Sequence, residues 1–185
     1  MTFSRKNFEE FCRALRVDTK DYGLINLAPE KWLGTQRKFI DEIDAGMKEG
    51  VHSFVVLKGR QVAITTICLA LDLYWLFKHN GLSGSLVVHQ EEAREMFRSM
   101  LSTYMDGLPR KYKVPVEQHN RTQLTVKNRS RFSYQVAGTR SNTSLGKGKV
   151  LIGDTDGKLL ANEVMSYVRE VKTVDAKVEG RIVIR

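Results

Sequence analysis

Val55-Val56-Leu57-Lys58-Gly59-Arg60-Gln61-Val62-Ala63-Ile64-Thr65-Thr66 has the order of residues that most narrows the architecture of this chain. An apolar run leads into a short loop holding a Gly and a Lys, and paired threonines then open an apolar segment of helical character. A triphosphate site needs strand, loop and helix in that order. Backbone N–H groups at a helix start hold phosphate oxygens, a lysine neutralises them, and a Thr hydroxyl ligates Mg2+. The stretch departs from the regular pattern GxxxxGKS/T. With Thr65 as the metal-side hydroxyl, Ala63 and Ile64 stand where the second Gly and the Lys would fall, and the lysine in reach is Lys58, ahead of the loop. An ordinary strand-to-helix turn also supplies Gly and Thr. Against that plainer reading stand Lys58, Arg60 and Gln61, three long polar side chains between two apolar elements.

The flanking sequence extends the alternation of strand and helix. Phe8, Phe11, Cys12 and Leu15 fall at helical spacing, so an amphipathic helix opens the chain. Residues 18–29 read as loop. Residues 32–47 read as a helix with Phe39, Ile40, Ile43 and Met47 on one face and Gly50 beyond its end. Residues 53–57 make a short buried strand, and 65–79 form a helix apolar nearly all round, as expected under a sheet. Residues 85–88 make the next strand. Residues 91–105 return to helix with Met96, Phe97, Met100, Leu101 and Tyr104 turned inward as core. Period-two runs at 124–126 and 132–136 around Asn128-Arg129-Ser130 signal a hairpin. A Gly, Ser, Thr and Lys loop follows over 138–149, then an apolar strand over 149–152. The βαβα order predicts an α/β fold with a parallel sheet flanked by helices and a hairpin excursion after it. Beyond about residue 150 the runs 168–174 and 181–184 are β-type, so 150–185 is expected to be a short β-rich tail. Its last strand has no obvious partner in the sequence.

The chain of 185 residues has room for one domain or one domain plus an appendage, and 42% hydrophobic content suffices for a core. No apolar span reaches membrane length, and residues 1–16 are charged throughout, so neither a membrane helix nor a secretory signal is expected. Cys12 and Cys68 sit in apolar helical patterns and read as reduced, buried thiols. The formal charge is +9, and residues 150–185 are balanced, six basic against six acidic, so the excess lies in the first 149 residues. Between Arg110 and Lys149 ten basic residues face one acid, Glu117. A polyanionic partner such as nucleic acid follows from that imbalance, with a solubilising surface as the plainer alternative.

Other residues carry narrower expectations. Gln36 offers a donor and an acceptor together, which suits an adenine edge, or it is simply a helix-start residue on the surface. Gly138-Thr139-Arg140 and Leu145-Gly146-Lys147-Gly148-Lys149 form a basic loop whose cations could stabilise charge on a transferred phosphoryl group or grip DNA. His52, His79, His89 and His119 pair with no Cys or carboxylate at ligand spacing, and no Ser/His/Asp arrangement stands out.

Taken together, these residues resemble the large subunit of the tailed-phage terminase, the motor that packages DNA into proheads. The similarity runs over about residues 32–149. It rests on Trp32 with Gln36, on the loop from Lys58 to Thr66, on Asn128-Arg129-Ser130-Arg131, and on Gly138-Thr139 with Leu145-Gly146-Lys147-Gly148-Lys149. The resemblance implies an ASCE-type P-loop ATPase over 1–149 that uses ATP and Mg2+. Gln36 would contact adenine, and Lys58, Gly59, Arg60, Gln61, Val62, Ala63, Ile64, Thr65 and Thr66 would form the nucleotide site. Lys58, Arg60 and Lys147 would act on the phosphates and Thr65 on Mg2+, with Asp154 as a further metal candidate. It implies double-stranded DNA, a portal and a small terminase subunit as partners, a homo-oligomeric ring, and residence in the host cytoplasm with transient docking at the prohead portal.

Three departures accompany the resemblance. Ala63 stands where the family usually has Gly. The strand at 149–152 leads to Gly153-Asp154-Thr155-Asp156 without the family's catalytic glutamate, and the nuclease domain has no counterpart in this chain. An inactive or split fragment, dependent on a second chain for turnover, is therefore the alternative to a motor. Gly153-Asp154-Thr155 and Gly157 are also similar to the first block of inteins. Val150 would then hold the first intein position, where it offers no nucleophile to begin splicing. A strand with a divergent tail is the competing description of 150–185.

Overall fold

The computed structural model describes residues 3–19, 22–51, 54–57, 63–88, 90–136 and 181–184, and the chain divides into two compact units. Both are α/β in character.

The first unit contains residues 33–64 and the strand at 181–184. Helix α2 (Gly34–Lys48) buries Phe39, Ile40 and Ile43 as the sequence spacing predicts, together with Gln36 and Gly46, whereas Met47, expected on the same face, is only half-buried. Strand β3 (Phe54–Leu57) packs close to it. A Cβ on Gly46 would lie 2.6 Å from the Phe54 ring, so only glycine lets the aromatic ring reach the helix backbone. The final strand (Arg181–Ile184, β8 below) pairs in parallel with β3, Phe54 opposite Arg181 and Leu57 opposite Ile184. The β run at the chain's end therefore has a partner, contrary to the sequence expectation, because pairing between distant strands leaves no local signal.

The second unit holds the remaining elements. Helix α1 (Arg5–Ala14) buries Phe8, Phe11 and Cys12 as its periodicity requires, and the Cys12 and Cys68 thiols are free and buried. The segment expected as loop contains a hairpin instead. Strand β1 (Arg16–Thr19) pairs antiparallel with β2 (Gly23–Asn26), with Gly23 in the left-handed region at the turn. Strands this short and mostly exposed carry little alternation, which is why the sequence reading missed them. Helix α3 (Ile64–Lys78) buries Ile67, Leu69, Leu73 and Leu76 in the core of this unit.

The main sheet is mixed rather than parallel. Strand β4 (Ser83–Val88) pairs in parallel with β7 (Arg131–Val136), which pairs antiparallel with β6 (Gln123–Val126), and β6 with β5 (Val116–His119). The hairpin β6–β7 was legible, whereas β5 was not, because three of its four side chains are exposed. Helix α4 (Glu91–Gly107) covers β4 and β7 with Phe97, Leu101, Tyr104 and Met105, but Met96 turns outward at 47% exposure, correcting its assignment to the core. Among the described residues no helix is long and apolar enough to cross a membrane. The expected strands at 149–152 and 168–174 lie outside the described residues.

Candidate functional site

The strand and helix that should bracket a phosphate loop are both present: β3 ends at Leu57 and α3 begins at Ile64. Lys58, Gly59, Arg60, Gln61 and Val62 lie outside the described residues, as do Gly138, Thr139, Arg140, Lys147 and Asp154. The described part of the site is therefore its helical edge, made of Gln36, Ala63, Ile64, Thr65 and Thr66.

Ala63 has φ +50°, the left-handed region that L-residues other than Asn and Asp rarely enter. Such a conformation costs about 1 kcal/mol for a residue bearing a Cβ. It occurs one residue before a helix whose first turn carries Thr65 and Thr66. Ala63 is also the residue that falls where the regular phosphate-loop pattern has its second Gly. The side chain is alanine, and the backbone has the torsion that glycine favours.

Gln36 is one of the few buried polar side chains, 4% exposed, so the alternative of a surface helix-start residue is corrected. Its Oε1 accepts from the Leu33 N–H at 2.9 Å, the returning half of a capping box whose other half is missing because leucine has no acceptor. Its Nε2 donates to the Ala63 carbonyl at 2.9 Å. The amide thus links the start of α2 to the strained residue ahead of α3. Two of its four hydrogen-bonding capacities are engaged among the described residues.

Thr65 and Thr66 are half-buried, Ile64 is buried, and the Thr66 carbonyl accepts from the Tyr104 hydroxyl at 3.2 Å. Burial pushes the Tyr104 phenol up, so it stays a neutral donor. The Thr65 hydroxyl bonds no side chain among the described residues.

Two arrangements were invisible in the sequence. His119 Nε2 lies 3.1 Å from the Tyr134 hydroxyl and its Nδ1 lies 3.5 Å from Ser102 Oγ. Desolvation lowers the His119 pKa and raises that of Tyr134. The trio makes no nucleophile: Ser102 donates to the Arg98 carbonyl at 3.2 Å, and no carboxylate orients the imidazole. Asp72, in the middle of α3, is buried with Oδ2 unpartnered, against a void too small for water among Leu73, Leu76, Leu101, Leu124 and Phe132. Burial pushes its pKa up to about 8, so it is a neutral acid at neutral pH. A lone Asp in an apolar helical run was the available signal. Among the described residues no group of three His, Cys, Asp or Glu side chains could hold a metal.

No family model matches the chain, and no curated protein is similar to it.

Proposed function

We propose that this chain is the ATP-binding motor portion of a tailed-phage terminase large subunit, built on a P-loop core and acting on double-stranded DNA. The observation that carries the reading is Ala63. A glycine-like torsion, retained in a residue with a Cβ, sits between a strand ending at Leu57 and a helix opening with Thr65 and Thr66. Strain of this kind persists where surrounding structure over-determines it, and it clusters at ligand clamps. On this reading Lys58 and Arg60 neutralise the phosphates, first-turn N–H groups of α3 bind their oxygens, and the Thr65 hydroxyl ligates Mg2+. Lys147 supplies a further cation and Asp154 a further metal ligand. Bound Mg2+ supplies charge neutralisation for phosphoryl transfer.

A second reading, a non-catalytic remnant that binds nucleotide without turnover, is favoured by the engagement of the Gln36 amide and by the lack of a glutamate in Gly153-Asp154-Thr155-Asp156. Calorimetric Mg-ATP binding and phosphate release, measured on the full chain and on Lys58→Ala, separate the two. Turnover in the parent with binding abolished at least tenfold in the variant supports the motor; saturable binding without turnover supports the remnant. A parent that binds no Mg-ATP removes both.

A further inference from the structure

Lys127-Asn128-Arg129 is the loop of the β6–β7 hairpin, and its three residues divide their work. Arg129 N–H bonds the Val126 carbonyl at 3.0 Å and Val126 N–H bonds the Ser130 carbonyl at 3.0 Å, the pattern of a tight turn closed by a left-handed residue. That residue is ordinarily glycine. Here it is Arg129, at φ +66°. Asn128 anchors the loop from within: its Nδ2 protons are shared among the carbonyls of Leu76 at 2.9 Å, His79 at 3.1 Å and Phe77 at 3.3 Å. Ser130 Oγ adds a bond to the His79 carbonyl at 2.6 Å. The loop is thereby fixed to the end of α3, with Lys127 and Arg129 exposed.

A second basic turn lies beside it. Lys127 N–H donates to the Pro115 carbonyl at 2.9 Å, and the segment before Pro115 carries exposed Arg110, Lys111 and Lys113. That segment is folded by Tyr112 N–H to the Pro109 carbonyl and Lys113 N–H to the Arg110 carbonyl, and it is pinned by Tyr112 packing edge-on against Phe11. Several arginines elsewhere find carboxylates: Arg5 pairs with Asp41, Arg13 with Glu30, Arg98 with Glu95, and Arg121 with Glu91. None of the five cations on the two turns makes an ion pair among the described residues, and the single acid between Arg110 and Arg131 is Glu117. A pre-ordered, unneutralised cluster in which one cation occupies a strained glycine position is a poor solubilising surface, since a strained arginine adds nothing to solubility that an unstrained one would not.

We infer that the Lys127–Arg129 turn, with the neighbouring Arg110–Lys113 turn, is a contact site for the phosphodiester backbone of double-stranded DNA. Rigid anchoring lowers the entropy lost on binding, and each phosphate neutralised releases condensed counterions. The phosphate chemistry stands on the geometry alone, while the choice of a DNA duplex rests on the motor reading.

The test uses the full chain without nucleotide, so that failure of ATP binding and failure of this site are read separately. Anisotropy titrations of a labelled DNA duplex are made across a salt series for the parent, for Lys127→Ala/Arg129→Gly, and for the charge-matched control Lys6→Ala/Lys38→Ala. The turn variant is expected to bind about tenfold more weakly near 0.1 M salt and to reduce the slope of log affinity against log salt by about 2, whereas the control shifts neither by half as much. Arg129→Gly alone should melt higher while binding more weakly, a combination that misfolding cannot produce. A turn variant that binds like the parent, a control that loses as much, or a parent without duplex binding overturns the site. An RNA duplex of the same sequence bound tenfold more tightly than DNA overturns the choice of DNA.

Discussion

At its C-terminal end, α3 offers carbonyls to Asn128 and Ser130, which take three of them between them and leave the helix closed. At its N-terminal end, no side chain among the described residues accepts from the first-turn N–H groups. The one side chain bonded at the boundary, Gln36, holds the Ala63 carbonyl instead. Both ends use a non-glycine residue in the left-handed region, Arg129 at one and Ala63 at the other. The difference is in what the local bonds leave over. A helix end that serves only the fold is satisfied internally, because unpaired buried polar groups are unfavourable. An end whose first-turn donors meet no side chain among the described residues, behind a residue in the left-handed region, has capacity for an anion.

The largest expected effect concerns the helix between these ends. Asp72 has an ordinary carboxyl pKa near 3.8 that burial raises to about 8 in the fold. As pH climbs from about 4 to about 8, the unfolded chain releases this proton while the folded chain keeps it, so stability falls with rising pH. The slope is about 1.4 kcal/mol per pH unit, levelling off above about 8. Urea unfolding of Asp72→Asn across that window should lose this slope; an unchanged profile would mean that Asp72 is solvated. Next comes the closed end. Asn128→Ala removes the bonds donated to the carbonyls at the end of α3 and the one that Asn128 Oδ1 accepts from Ser130 N–H, with an expected loss of about 2–3 kcal/mol in equilibrium unfolding.

The open end should respond less. Gln36→Ala breaks two bonds and is expected to lower stability by about 1–2 kcal/mol, and to speed hydrogen exchange at Ala63 and Ile64. Equal or greater sensitivity than Asn128→Ala would erase the contrast between the ends. The smallest effect is of opposite sign. Ala63→Gly relieves the left-handed strain but loosens the unfolded chain, for a net gain of about 0.5 kcal/mol in thermal unfolding. A loss of stability there would show that the torsion is not strained.

Legibility followed the range of the interactions. Phe8, Phe11 and Cys12, or Phe39, Ile40 and Ile43, declare their helices because one turn of periodicity suffices, and the β6–β7 hairpin is announced by its turn residues. The β1–β2 hairpin and β5 are built of four-residue strands that expose most of their side chains, so their alternation is too short to read. Met96 lies on the same helix as Phe97 but one position round it, on the exposed side, which shows how coarse an inward stripe read from composition is.

The candidate site divided the same way. Sequence order alone marks a strand before residue 58 and a helix after residue 63, and composition alone marks the excess of positive charge before residue 150. Each is a matter of local order and composition. Tertiary structure alone decided that Gln36 reaches across 27 positions to the Ala63 carbonyl, that Asn128 closes α3 from 52 positions away, and that Asp72 is buried without a partner. Those facts arise from contacts between segments far apart in the chain, where each side chain's partner is set by packing and no local pattern encodes it.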